Sequence, residues 1–370
     1  MKINFITNLC THYVVRLFEL LSERHEIRFY FTGGDESYWN TANRPAEGNI
    51  KGKYLKKLTK ARIMPGVLFL PFKKGDVCIK TLDGRFSLAV IFLITKLMRR
   101  PFILWTGLWA HPETLMHQLT FPFTRFIYRH SDAIVVYGEH VKKYLIGLGV
   151  DREKIFCAPH SVDNSLMSEL VLAEQKSALK KELGLAEEKV ILYVGRLERC
   201  KGLEFLIEGL SKLRDIDFMM VFIGNGSLEG ALKNQCEQSS VKAKFLGHIP
   251  NEKLVRYYAL ADAFVLPSIT TTQFKEPWGL VINEAMNQGC PIVTTDAVGA
   301  AAGGLVENGR NGYIVPEKDS QALKEALEQV LTDEEQRKSM EQYSRNKIRE
   351  WDQQQTAAGF LQAIDYVTVN

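Results

Sequence analysis

The sequence has little of what marks a secreted, metal-bound or membrane-spanning protein. Its six cysteines, Cys10, Cys78, Cys157, Cys200, Cys236 and Cys290, stand far apart, with no CxxC pair and no histidine cluster. That argues against a disulfide framework or a zinc module and for reduced thiols in a cytoplasm. No apolar run reaches the ~18–20 residues that a membrane span requires. The longest, residues 86–98, is interrupted by Ser87, Thr95 and Lys96 and closed by Arg99 and Arg100; a buried helix is expected there. Residues 1–10 hold one lysine and no small-residue cleavage site, so they are expected to form a first strand and not a signal peptide. There is no low-complexity tract, and no DxD stands at a strand end to hold a divalent ion. Lys201 precedes Gly202, but the GxxxxGK[ST] order of a nucleoside-triphosphatase loop is missing.

What is present is a chain of 370 residues, which suits two domains of roughly 150–200 residues each. In the first half, apolar runs at 3–7, 27–31, 76–80, 102–105, 133–136 and 155–158 alternate with amphipathic stretches near 13–23, 85–98, 113–130 and 139–147. Around 159–189 the pattern breaks into a polar, Lys/Glu-rich stretch, and a linker is expected near 160–170. It restarts with runs at 190–194, 218–223, 244–246, 263–267 and 291–295, and with helices at 202–213, 228–237 and 280–288. It ends in helical stretches at 319–331, 333–349 and 353–366. Strand–helix alternation of this kind predicts doubly wound parallel sheets. The expected fold class is α/β: two Rossmann-like domains, 1–164 and 165–352, facing across a cleft. A C-terminal helix at about 353–370 is expected to pack back on the first.

Charge is divided unevenly. Residues 1–164 hold 24 Lys+Arg against 14 Asp+Glu, and the remainder 23 against 29. The first half is therefore the one drawn to anionic surfaces.

The residues with the clearest chemistry lie in the second half. Glu276 and Glu284 are eight apart, with Pro277, Trp278 and Gly279 forcing a loop before a helix that Gly289 closes. The free amides of Gly279, Leu280 and Val281 at that helix start are a natural seat for a diphosphate. Glu284, in the early turns, can accept from a ribose diol, and Glu276 can grip sugar hydroxyls. The plain alternative makes Glu284 a helix-dipole complement and Glu276 a solvated charge. A strand-to-helix loop, Gly195-Arg196-Leu197-Glu198-Arg199-Cys200-Lys201-Gly202, adds cations able to neutralise a leaving diphosphate, or to be ordinary surface charges. Gly224-Asn225-Gly226 follows a strand, as a tight turn would. Phe245-Leu246-Gly247-His248 ends another strand, where backbone can meet a nucleobase edge.

In this order and spacing the second half, about residues 155–350, resembles retaining glycosyltransferases of family 4, which have the GT-B fold. The motifs that carry the likeness are Glu276/Glu284 as E-x7-E, Gly195-Arg196-Leu197 with Lys201-Gly202, and Gly224-Asn225-Gly226. Phe245-Leu246-Gly247 and Asn308-Gly309 with Gly312-Tyr313 complete them. The resemblance implies that Arg196 and Lys201 hold the diphosphate, Glu284 the ribose and Glu276 the donor sugar. Backbone around Gly224, Leu246 and His248 completes the donor pocket, and Trp278 stands where the family more often has Phe. His111, in Trp105-Thr106-Gly107-Leu108-Trp109-Ala110-His111, is the counterpart of the family's pocket histidine, which hydrogen-bonds the donor sugar. The first loop, Ile6-Thr7-Asn8-Leu9-Cys10-Thr11-His12, lacks the family's usual glycine; Asn8 and His12 are its acceptor-side candidates.

The activity so implied is transfer of a hexose-type sugar from a UDP- or GDP-sugar to a glycan or lipid-linked hydroxyl, with retention, without a metal or cofactor. Envelope polysaccharide or glycolipid assembly is its expected setting. On the acceptor side, Lys51, Lys53, Lys56, Lys57, Lys60 and Arg62 interleave with Tyr54, Leu55, Leu58 and Ile63. The stretch 113–130 sets Phe121, Phe123, Phe126 and Tyr128 beside Arg125 and Arg129. These are expected to meet anionic lipid on the cytoplasmic face of a membrane, against the alternative of solvated lysines and core aromatics. The rivals are a sugar-nucleotide epimerase of the same fold and a nucleic-acid-binding protein. The second lacks any RRM, KH or zinc-module signature, so no nucleic-acid partner is expected.

Overall fold

The computed structural model describes residues 1–33, 50, 52–55, 66, 70, 75–82 and 85–369. The chain divides into two units, Met1–Ser161 with Asp352–Asn370, and Val162–Trp351. Each is built on its own parallel sheet.

The first unit has strands β1 (Lys2–Thr7), β2 (Glu26–Phe31), β3 (Gly52–Tyr54), β4 (Val77–Thr81), β5 (Phe102–Thr106), β6 (Ala133–Val136) and β7 (Ile155–Cys157). They lie in the order β3-β2-β1-β4-β5-β6-β7, each pair parallel. Such a sheet is covered on both faces, which is why its strands read as unbroken apolar runs. Period-two alternation sends Ile3, Phe5, Ile79, Ile103 and Val135 into one core, and Ile6, Cys78, Leu104, Ile134 and Val136 into the other. The C-terminal helix, Gln353–Val369, completes the first of these, with Phe360 ring centroids 5.7 Å from Phe5 and 5.2 Å from Trp105. Helices α1 (Val15–Arg24), α2 (Arg85–Leu97), α3 (Leu115–His130) and α4 (Glu139–Gly147) connect the strands. The run at 86–98 is not buried all round: Leu88, Ile91 and Phe92 are in the core, while Leu93 and Leu97 face solvent. Of the basic stretch 51–63, Lys53, Tyr54 and Leu55 are described; Lys51, Lys56, Lys57, Leu58, Lys60, Arg62 and Ile63 lie outside the described residues.

The second unit begins with two short helices, α5 (Asn164–Met167) and α6 (Ala173–Glu182). Its strands are β8 (Lys189–Val194), β9 (Phe218–Ile223), β10 (Ala243–Phe245), β11 (Ala263–Leu266), β12 (Ile292–Thr295) and β13 (Gly312–Val315). The order is β10-β9-β8-β11-β12-β13, all parallel. Chain direction across the sheet reverses at β8, which has β9 on one side and β11 on the other. In open α/β sheets the crevice beyond the carboxyl ends at that reversal is where ligands bind.

Several elements depart from expectation. Residues 173–182 lie in the polar break expected around 159–189 but form α6, because Ala, Glu, Gln, Lys and Leu are strong helix formers and Leu179 supplies a buried anchor. The unforeseen helix α9 (Asn251–Leu260) buries Leu254, Val255, Tyr257 and Tyr258. Strand β13 was legible only as a glycine motif. Between these lie α7 (Leu203–Leu210), α8 (Glu229–Gln238), α10 (Leu280–Asn287), α11 (Gly299–Ala302), α12 (Ser320–Thr332) and α13 (Glu334–Ile348).

Candidate donor site in the second unit

The loops that leave β8 and β11 at the reversal point are drawn together by backbone. The β8 loop closes in a 3-10 turn, Arg199–Lys201, and Gly202 follows with φ +62°. A Cβ at Gly202 would lie 2.3 Å from the Pro267 carbonyl oxygen, so only glycine lets the two loops pass. Beside it the Ile269 amide donates to the Cys200 carbonyl over 2.9 Å. This contact aims Lys201 into the β11 loop.

Lys201 Nζ donates to Glu276 Oε2, and both residues are buried. Ser268 Oγ donates to the same carboxylate oxygen at 3.1 Å, and the ammonium lies 5.5 Å from the centroid of the Phe274 ring. Burying a charge is costly unless it is paired, and here each ion has its partner. Three residues after Glu276, Gly279 takes φ +93° and caps α10. Among the described residues none accepts from the amides of Gly279, Leu280 or Val281, and all three residues are partly exposed. An ammonium paired with a carboxylate and a half-open helix start thus share one loop system, and the helix start favours an anionic ligand.

Arg196 is exposed on the β8 loop, and its carbonyl accepts from the fully buried Tyr193 hydroxyl at 2.7 Å. Glu198 accepts from the Ser227 hydroxyl at 2.7 Å and its amide at 3.1 Å, which holds the Glu198 carboxyl below its ordinary value. Gly224 has the tightest approach of the turn: an added Cβ would sit 2.0 Å from the Gly195 carbonyl oxygen. Its place is thus to pack the 224–226 turn under the β8 loop, where Leu197 and Asn225 share a 3.0 Å backbone bond. Past β10, the Leu246 amide donates to Phe222 at 2.9 Å, and His248 is exposed.

Glu284 sits one turn further along α10 and is buried. The hydroxyl of Tyr258, itself fully buried on α9, donates to Glu284 Oε2 at 2.6 Å. Burial pushes the Glu284 carboxyl up to about 7, against the lowering effect of the Tyr258 hydrogen bond. Tyr258 and Ser268 escaped the reading of the sequence. Ser268 follows Pro267 at a strand end, a usable signal, whereas nothing local marks Tyr258.

The structure places Trp278 in the core. The resemblance sets it among the donor contacts, but the residue is 1% exposed, stacked on Trp351 at 5.4 Å, with Nε1 donating to Asn283 Oδ1 at 2.8 Å. A ring enclosed on that scale fills the core and has no face for a ligand.

The remaining candidates belong to the first unit. His111 lies beyond β5 with its ring 4.3 Å from Phe121. Its Nε2 stands 3.0 Å from the His117 carbonyl oxygen and so must carry a proton. The buried Nδ1 has no hydrogen-bond partner among the described residues and, in the neutral ring, offers a lone pair. Asn8 is exposed and its Oδ1 accepts from the Leu9 amide at 2.8 Å, closing its own turn. His12 is exposed, edge-on to Tyr13 at 5.3 Å.

Comparison with known proteins meets this geometry. Residues 175–347 match the family described as Glycosyl transferases group 1. That span contains Arg196, Lys201, Tyr258, Glu276 and Glu284. An uncharacterized glycosyltransferase of Methanocaldococcus jannaschii is 32% identical over 164 residues, 43% of this chain and 40% of the relative. A D-inositol 3-phosphate glycosyltransferase of Xylanimonas cellulosilytica is 31% identical over 248 residues, 62% of this chain and 56% of the relative. The chain spans about half the length of the curated relatives it matches. Solved structures resemble the whole of it. A glycosyltransferase from Rickettsia africae superposes with TM-score 0.80 at 16% identity, covering 100% of this chain and 99% of that one. HepE of Anabaena, solved with UDP-glucose, gives 0.77 at 19% identity over 100% of both. The fold is GT-B.

Proposed function

We propose that this protein is a retaining, metal-independent glycosyltransferase that takes a hexose-type sugar from a nucleoside diphosphate donor. The observation that carries the reading is the pairing of Lys201 with Glu276 three residues ahead of a helix start whose first amides have no acceptor among the described residues. UDP-glucose on HepE and the match to group 1 glycosyl transferases support the choice of ligand.

In this reading the diphosphate lies against the amides of Gly279, Leu280 and Val281, with Arg196 and Lys201 neutralising the charge that grows as the sugar–phosphate bond breaks. Glu284 accepts from the ribose diol. The carbonyl of Leu246 and the amide of His248 meet the base, and Gly224 holds the loop beneath. Glu276, aligned by Lys201 and Ser268, accepts from hydroxyls of the donor sugar, and the resemblance assigns His111 to hydrogen-bonding that sugar as well. Residues 270–275 shape the sugar subsite. The acceptor hydroxyl attacks on the face the diphosphate leaves, and the departing phosphate oxygen takes its proton, so the configuration is kept without an enzyme nucleophile. The acceptor is a glycan or a lipid-linked sugar, as in cell-envelope polysaccharide assembly, at the cytoplasmic face of the membrane, with Asn8 and His12 on its side.

The test is to incubate the protein with UDP- and GDP-hexoses and a panel of alkyl glycosides and to determine the product anomer by proton NMR. An α-linked donor is expected to give an α-linked product. An inverted product overturns the mechanism, and an epimerised donor formed without acceptor overturns the transferase reading.

A further inference from the structure

The helix α3 (Leu115–His130) carries an apolar stripe that no part of the described chain covers. Leu115 is 73% and Leu119 69% exposed, and Phe123 and Phe126 continue the line. Spaced at four, four and three residues, they fall within about 90° of arc on an α-helix. Tyr128, on the opposite side of the helix, and Ile127, on the flank of the stripe, are buried in the unit's core. The stripe extends onto α2. Phe92 meets Phe126 at 6.1 Å, and Leu93 and Leu97, one turn apart on α2, are exposed.

Beside the stripe lies a shallow groove of about 350 Å³ lined by Phe121, Pro122, Arg125, Phe126, Arg129 and His130. Both guanidinium groups converge on Gly149: a Cβ built there would lie 3.6 Å from Arg129 Nε and 3.9 Å from Arg125 Nη2. Arg125 Nε is fixed by the Leu148 carbonyl at 2.9 Å. Among the described residues no carboxylate forms an ion pair with either arginine, and the sequence of α3 contains no Asp or Glu. Two like charges held together without an acid repel one another and draw in an anion. Apolar side chains next to unneutralised arginines fit a surface that is itself apolar beneath and anionic on top.

We infer that α3 docks the first unit onto an anionic lipid bilayer, with Leu115, Leu119, Phe123 and Phe126 entering the acyl boundary and Arg125 and Arg129 on lipid phosphates. No described helix is long and apolar enough to cross a membrane, so the helix lies in the plane of the interface. This names the membrane partner on the acceptor side of the proposed function. It uses no residue of the donor site, so vesicle binding reads it independently of sugar transfer.

The experiment is sedimentation of the full chain with vesicles of phosphatidylcholine alone or containing phosphatidylglycerol. It compares wild type, Leu119→Ser/Phe123→Ser and Arg125→Gln/Arg129→Gln, with melting temperatures confirming that the exposed substitutions leave the fold intact. Binding is expected only with phosphatidylglycerol. It should weaken about fivefold per arginine removed, and the serine pair should lower it at least as far. Equal binding to both vesicle types, or variants that bind like wild type, overturns the inference. So does a wild-type dimer in sedimentation velocity that the serine pair dissociates, since the stripe would then belong to a second copy.

Discussion

Lys201 and Glu276, 75 positions apart in the chain, form a buried ion pair at the point where the strand order of the second sheet reverses. Removing one member leaves the other charge buried and unpaired, whereas replacing both with apolar groups is far less costly. Lys201→Met and Glu276→Leu are each expected to lower stability by about 3–5 kcal/mol. The double variant should recover most of that and still fail to transfer sugar. Urea denaturation with transfer assays on the same samples checks both halves. Additive stability losses in the double variant would show that the pair does not hold the loops together.

Glu284 gives a pH dependence with a definite sign. Its carboxyl is raised from 4.5 to about 7 by burial, so the folded protein binds more protons than the unfolded one in that window. Stability therefore falls as pH rises from about 4.5 to about 7, with the contribution intact below and absent above. Glu284→Gln should remove that component of the melting profile. Since a ribose diol needs the ionised carboxylate as acceptor, donor affinity should rise with pH through about 7, with proton release in calorimetry. Tyr258→Phe deletes the hydrogen bond that lowers the value, so its midpoint should move upward. An unshifted midpoint would remove Tyr258 from that role.

Trp278 is expected to support the fold and not the donor. Trp278→Ala should cost about 3–5 kcal/mol of stability. Trp278→Phe should cost about 1–3 kcal/mol by removing the hydrogen bond to Asn283 Oδ1. In the Phe variant the dissociation constant for nucleotide should be unchanged by calorimetry. A loss of affinity at full folding would return the indole to the donor pocket.

The resemblance gives His111 a hydrogen bond to the donor sugar, which His111→Ala would remove. The expected effect is a fall in kcat of about tenfold, the equivalent of ~1.4 kcal/mol, the upper end for one hydrogen bond. Affinity for free UDP or GDP should not change. A variant that loses nucleotide affinity instead would place His111 against the diphosphate.

Much of the fold was open to reading because parallel strands buried on both faces leave unbroken runs, such as 102–105 and 133–136, between helical stretches. β13 escaped because it is four residues long and starts on glycine, and α6 because its surface composition looks like a linker. At the site, motif spacing singles out Lys201, Glu276 and Glu284, but not how they pair. The pairing of Lys201 with Glu276 comes from β8 lying next to β11, and Tyr258 reaches Glu284 from a helix 26 positions earlier. Trp278 misled because a motif position does not reveal whether the ring or only the backbone faces the pocket.

The diphosphate cradle is tested most directly by calorimetric titration of UDP-glucose and GDP-mannose into wild type and Arg196→Ala. Arg196 is exposed, so the substitution does not disturb the core. The account predicts that at least one of the two nucleotide sugars binds wild type and that the variant binds it about 10–100-fold more weakly, the range for a charge-assisted contact. Binding of equal strength in the two proteins, or no binding of either ligand to wild type, would contradict it.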